Sequence, residues 1–136
     1  MPKRVQRTRK PGLPGIPPGG VYVGRARGAY GYWGNPFKAA DALEYEFAAT
    51  MDDARAYVTQ TFRDWLNGDF LIGSEGAGTP WSRERRDWIL ENIGELAGKD
   101  LACWCRLPEP GKPDHCHATV LLQLAERAAK AARAAA

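Results

Sequence analysis

Every cysteine and both histidines of this chain fall within one stretch, Lys99–Leu122, which reads KDLACWCRLPEPGKPDHCHATVLL. Cys103, Cys105, Cys116, His115 and His117 are the side chains that act as nucleophiles, general bases or soft metal ligands near neutral pH. Three chemistries fit. Free cysteine is among the most buried residue types, so the thiols can be core. Cys103, Cys105, Cys116 and His117 can instead bind zinc, but a single residue separates the first pair, whereas structural zinc sites usually leave two to four. In the third reading Cys105, Cys116 and His117 line a ligand pocket at a helix N-terminus, where the dipole lowers a thiol pKa and accommodates an anion. The third fits best. It makes His117 and Cys116 candidate catalytic residues, and Cys103 the most core-like of the thiols. The spacing favours no cofactor and leaves zinc as the alternative.

These residues need a strand, a loop and a helix to place them. Leu101–Cys105 is short, apolar and bounded by Gly98 and Pro108, which predicts a buried strand. Alternation puts Leu101, Cys103 and Cys105 on one face, Ala102 and Trp104 on the other. Arg106–Asp114 is rich in Pro and Gly and cannot continue the strand. Val120, Leu121, Leu124 and Ala125 then recur at helical spacing, so a helix starts near His115–Ala118. Free N–H groups at such a start favour an anion.

A second constellation lies upstream. Val21–Arg25 (VYVGR) predicts a strand. The Gly-rich segment after it carries Tyr30, Tyr32 and Trp33 and ends in Gly34-Asn35-Pro36-Phe37. Asn before Pro is held extended, which lets its amide be aimed outward at a ligand. Aromatics beside Arg25 and Arg27 suit stacking on a base and contact with phosphate. Arg25, Trp33, Gly34, Asn35 and Phe37 are therefore candidate ligand-binding residues, with Asn35 orienting a substrate. The nearest acids, Glu44 and Glu46, form no convincing catalytic pair.

The first ten residues hold Lys3, Arg4, Arg7, Arg9 and Lys10. Arg4, Arg7 and Arg9 are candidate phosphate or nucleic-acid contacts. Val5 suits a short edge strand, and the rest to Gly20 reads as a loop or arm. Ala39–Thr50 is built of helix formers. Asp52–Asn67 predicts a helix with Ala54, Tyr57, Val58, Thr61, Phe62, Trp65 and Leu66 on its apolar face, stopped at Gly68. Asp69–Gly73 suits a second strand. Ser74–Thr79 lacks the Lys-Ser/Thr ending of a phosphate-binding Walker loop. Thr79 or Ser82 caps a helix to about Ala97 that buries Trp81, Trp88, Ile89, Ile93 and Leu96.

The 136 residues carry 19 Lys+Arg and 16 Asp+Glu, a net charge of +3. That length suits one domain with a real core. An odd cysteine count argues against a secreted disulfide framework and for a reducing cytosol. No apolar run approaches a membrane span, and the basic N-terminus lacks the apolar region of a signal peptide.

Several pieces together resemble a known family. They are Lys3-Arg4-Val5, Val21–Arg25, Trp33–Phe37, and Gly98–Cys105 ending in Cys116-His117-Ala118. This combination resembles the uncharacterised domain of unknown function 4326, found in bacteriophages and actinobacteria. The Cys-His ending is also similar to the domain of unknown function 488. The resemblance implies a small Rossmann-like α/β fold and supplies no activity.

The expectation is a three-layer α/β domain with a mainly parallel sheet over residues 21–126, preceded by a basic arm (1–20) and followed by a frayed Ala-rich helical tail (127–136). The Val21 and Leu101 strands should be neighbours near the middle of the sheet, so that both constellations meet beyond their carboxyl ends. The ligand expected there is a nucleotide or derived from nucleic acid, and an enzyme would act on its N-glycosidic or phosphate bond. The alternatives are a phage protein that sequesters a nucleotide signal of host defence, and a zinc-containing nucleic-acid-binding module. The expected location is the bacterial host cytoplasm with no membrane partner, and the sequence sets no oligomeric state.

Overall fold

The structure, a computed structural model, describes residues 2–9, 11–12, 15–24, 33–69 and 81–135. Arg25, Arg27, Tyr30 and Tyr32 lie outside the described residues, as do Lys10, Thr79 and residues 70–73 of the expected second strand. The described elements are strands β1 (Arg4–Gln6), β2 (Val21–Tyr22) and β3 (Leu101–Cys103), and helices α1 (Ala39–Glu44), α2 (Met51–Asn67), α3 (Arg83–Asn92) and α4 (His117–Ala135). A 3-10 turn, Ile93–Leu96, continues α3.

The three strands form one small parallel sheet in the order β1-β3-β2. Arg4, Val5 and Gln6 pair with Leu101, Ala102 and Cys103, while Val21 and Tyr22 pair with Leu101 and Ala102. The Val21 and Leu101 strands are thus neighbours as expected, but only β3 is central. The pairing is extended by Arg7 N–H donating to the Cys103 carbonyl and Val23 N–H to the Ala102 carbonyl, both at 2.9 Å. Central placement explains why Leu101, Ala102 and Cys103 are all buried. A parallel strand between two others has both faces covered, and these three side chains are apolar.

Helix α2 begins where the Thr50 hydroxyl accepts the Asp53 N–H at 3.1 Å, with Asp52 and Asp53 favourably placed in its first turn. It ends at Gly68, whose φ of 82° is the left-handed conformation that glycine adopts without strain. Ala54, Val58, Phe62, Trp65 and Leu66 are buried as their spacing predicts, but Tyr57 is exposed. Ser82, rather than Thr79, caps α3 through the Arg85 N–H. Gly98, at φ 76°, turns the chain into β3. Helix α4 packs against β3, the 3-10 turn and α2, joining sheet and helices in a core of Val23, Phe62, Trp65, Ile89, Leu96, Leu101, Val120 and Leu121. The predicted strand Leu101–Cys105 stops at Cys103, and Trp104 and Cys105 form a bend. Among the described residues, no helix is long and apolar enough to cross a membrane.

Phe62 is fully buried between the helices and meets the His117 ring edge-on, centroids 5.5 Å apart. Phe62→Ala is expected to lower unfolding free energy by about 3–5 kcal/mol. Tyr57→Ala, at an exposed position on the same helix, should cost under about 1 kcal/mol. Urea unfolding followed by tryptophan fluorescence checks both.

Candidate functional site

The bend after β3 is what brings the thiols together. Cys103 and Cys105 place their sulfurs 3.5 Å apart, and Cys116, at the head of α4, closes the triangle, with all three sulfurs within 4.8 Å of one another. The three cysteines are close enough to hold a metal ion. All are free thiols; Cys103 and Cys116 are buried and Cys105 is half-buried. The Cys105 thiol is pulled well below the usual thiol range because Cys103 and Cys116 both hydrogen-bond to it, with the Arg4 charge adding to the effect. Those hydrogen bonds push Cys103 and Cys116 upward in turn, and burial adds to both shifts. Of the three, Cys105 is the thiol whose ionisation the cluster favours.

The loop between Cys105 and Cys116 is fastened by Arg4. Its Nε donates to Asp114 Oδ2 at 2.8 Å and its Nη2 to Asp114 Oδ1 at 2.6 Å, a bidentate pair. Nη1 donates to the Cys105 carbonyl at 2.5 Å and Nη2 to the Arg106 carbonyl at 3.0 Å. One side chain thus grips both ends of the loop. Burial alone would lower the Arg4 pKa, but the Asp114 hydrogen bond and the nearby thiols outweigh it. Arg4 was expected to contact phosphate; its side chain is 3% exposed and its guanidinium is bound to the protein itself.

His117 is buried at the first turn of α4. Its Nε2 lies 2.6 Å from the Val23 carbonyl, which can only accept, so Nε2 carries the proton. That tautomer turns Nδ1 toward Cys116, 3.9 Å from its sulfur.

The Trp33–Phe37 segment is anchored as firmly. Trp33 meets Trp88 edge-on at 4.9 Å, and Phe37 meets Trp65 at 5.9 Å. The Arg85 side chain reaches the Gly34 carbonyl at 3.4 Å. Asn35 was expected to aim its amide outward. It is instead buried, donating through Nδ2 to the Val58 carbonyl at 3.0 Å and accepting the Phe37 N–H at 2.9 Å. An asparagine that caps its own turn in this way sets loop shape.

The two constellations meet. A cavity of about 260 Å³ is lined by Asn35 and Phe37 together with Cys103, Cys105, Cys116 and His117. Tyr22, Gly24, Thr59 and Trp104 also line it. It sits beyond the carboxyl ends of β2 and β3, where open α/β sheets collect ligands. Trp33 and Gly34 shape the loop but do not line the cavity, and the exposed Glu44 and Glu46 lie away from it. Arg7 stacks over Tyr22 and Trp104 at 4.6 and 5.0 Å, and Arg9 over Trp104 at 4.8 Å. Both cations therefore rest on aromatic rings of the cavity wall.

Residues 5–127 match the family described as Domain of unknown function (DUF4326). The chain belongs to this family. No curated protein and no solved structure matches it. The matched span runs from within β1 through the Asn-Pro loop and the three cysteines into α4.

The sequence reading missed Arg55 and Thr59, which also line the cavity. Their spacing of four on α2 was the available signal, since such residues share a helix face. It also missed a second, more open cavity of about 500 Å³ beside Tyr45, Phe47, Tyr57 and Trp81. Phe47 and Tyr57 stack there at 5.4 Å, and Trp81, expected in the core, is 36% exposed.

Replacing Arg4 removes the clamp and leaves Asp114 without its partner. Arg4→Met is expected to cost about 2–4 kcal/mol, at the low end for a buried pair because Asp114 is 22% exposed. Arg4→Lys should recover only part of this, since an ammonium cannot make the bidentate contact. Chemical denaturation of the three proteins measures it.

Proposed function

We propose that this protein binds a nucleotide or a nucleotide-derived ligand in the cavity beyond β2 and β3, and holds it without turnover. The observation that carries this reading is the meeting of two segments far apart in the chain, Asn35–Phe37 and Cys103–His117, at one cavity whose aromatic wall bears two arginines. Tyr22, Phe37 and Trp104 offer faces to a planar base. Arg7 and Arg9, above Tyr22 and Trp104, suit a phosphate at the rim. A volume of about 260 Å³ suits a base and sugar within, with the phosphate outside.

Binding is favoured over catalysis by what surrounds the cavity. Among the described residues no carboxylate lines it. Cleavage of an N-glycosidic bond is commonly assisted by an acid or base of that kind. His117, a candidate catalytic residue, donates its Nε2–H to the Val23 carbonyl, and Cys116 is buried. Sequestration of a nucleotide signal fits this better than hydrolysis. A small Rossmann-like domain of three layers completes the reading. Its support is the parallel sheet and the cavity at its carboxyl end.

The test is a thermal-shift screen of nucleobases, nucleosides and nucleoside mono- and diphosphates, followed by mass spectrometry of the mixtures. A ligand present at a hundred times its Kd should stabilise the protein by about 2.7 kcal/mol and be recovered intact. Arg7→Ala and Arg9→Ala should weaken the phosphorylated ligand about tenfold each and leave the nucleoside unchanged. New products would replace binding by catalysis. No stabilisation by any member of the panel would overturn the reading.

A further inference from the structure

We infer that Cys103, Cys105 and Cys116 together hold one zinc ion, with the fourth coordination position open to the cavity. Four ligands around zinc, with Zn–S near 2.3 Å, set neighbouring sulfurs about 3.8 Å apart. The Cys103 and Cys105 sulfurs are 3.5 Å apart and all three lie within 4.8 Å of one another, close to that spacing.

The donor set selects the ion. Three thiols and no carboxylate favour a soft or borderline cation over magnesium or calcium. Iron–sulfur clusters ordinarily take four cysteines, and three converge among the described residues. A disulfide would leave one thiol over and close a tight ring across the single residue between Cys103 and Cys105. Zinc suits three thiolates plus one exchangeable ligand.

The surroundings are those of a supported metal site. Arg4 holds the Cys105 carbonyl, and through Asp114 it holds the chain two residues before Cys116. Three thiolates and Zn2+ carry a net charge of −1, and the Arg4 guanidinium, itself paired with Asp114, lies near them. All three cysteines line the cavity, so the fourth position faces the space where a ligand atom or water can sit. His117 neighbours the centre through Nδ1 without joining the compact triangle of sulfurs. Such a centre gives the cavity a Lewis acid able to select ligands bearing a soft nitrogen, a sulfur or an anionic oxygen.

Zinc content is read without any nucleotide, so the failure of this inference and that of the nucleotide reading are separate outcomes. The full chain, purified reduced and without chelators, should carry about one zinc per molecule by elemental analysis. Cys103→Ser, Cys105→Ser and Cys116→Ser should each lower zinc affinity at least a hundredfold, while His117→Gln keeps it within tenfold. Cobalt exchanged into the wild-type protein guards against serine variants that fail to fold. It should give a tetrahedral spectrum with charge-transfer intensity for three thiolates, and added imidazole or azide should shift its visible bands. A metal-free protein that also gives no thiolate–cobalt spectrum overturns the site. Zinc lost from a folded His117→Gln, or bands unmoved by either added ligand, overturns the open position.

Discussion

The grip of Arg4 on Asp114 and on the carbonyls of Cys105 and Arg106 is the contact on which the rest depends. It is made by a residue of the first strand, and everything it holds lies a hundred residues later. Charge-assisted bonds are about twice as strong as neutral ones and fix geometry as well. Here they fix the two ends of a Pro/Gly-rich loop that has few other reasons to take one shape. With those ends set, Cys105 is held near Cys103 and the head of α4 delivers Cys116 to both. Without the clamp, the loop that links Cys105 to Cys116 would lose the contacts at both its ends.

The parallel sheet does the remaining positioning. Because β3 lies between β1 and β2, its carboxyl end is flanked by Arg7 on one side and by Val23 on the other. Arg7 lies over two aromatic rings of the cavity wall. The Val23 carbonyl accepts the Nε2–H of His117 and so orients the imidazole. The Asn35 turn is locked onto α2 through Val58, and Phe37 is packed on Trp65. Asn35, Phe37 and His117 on the cavity wall are therefore each held by a partner of their own. That is what a binding site needs if ordering its ligand is not to cost further ordering of the protein.

Much of this was legible in the sequence, and what was not has physical causes. Apolar periodicity found α2 and α4, since burial of one helix face leaves a strong pattern. The β-branched Val21–Val23 and the apolar Leu101–Cys103 revealed neighbouring strands. The convergence of the Asn-Pro loop with Cys116 and His117 followed from the rule for parallel sheets. The inward turn of Asn35 did not, because an Asn-Pro pair fixes the backbone and leaves the amide to whichever partner lies near. The burial of Arg4 was hidden for a similar reason: its partners are two carbonyls and an acid distant in sequence, and a cation in a basic run looks like solvated charge. The triangle of thiols was obscured by a strand expected to run through Cys105. The bend at Trp104 relaxes strict alternation and lets residues 103 and 105 bring their sulfurs together.

The most direct test of the account is diffraction from crystals of the zinc-loaded protein, with anomalous data collected at the zinc edge. The account predicts one anomalous peak about 2.3 Å from the sulfurs of Cys103, Cys105 and Cys116. The Arg4 guanidinium should lie near it, with Asn35 and His117 lining the same cavity. Sulfurs dispersed from one another, or Trp33–Phe37 and Cys116–His117 on different sides of the molecule, would contradict it.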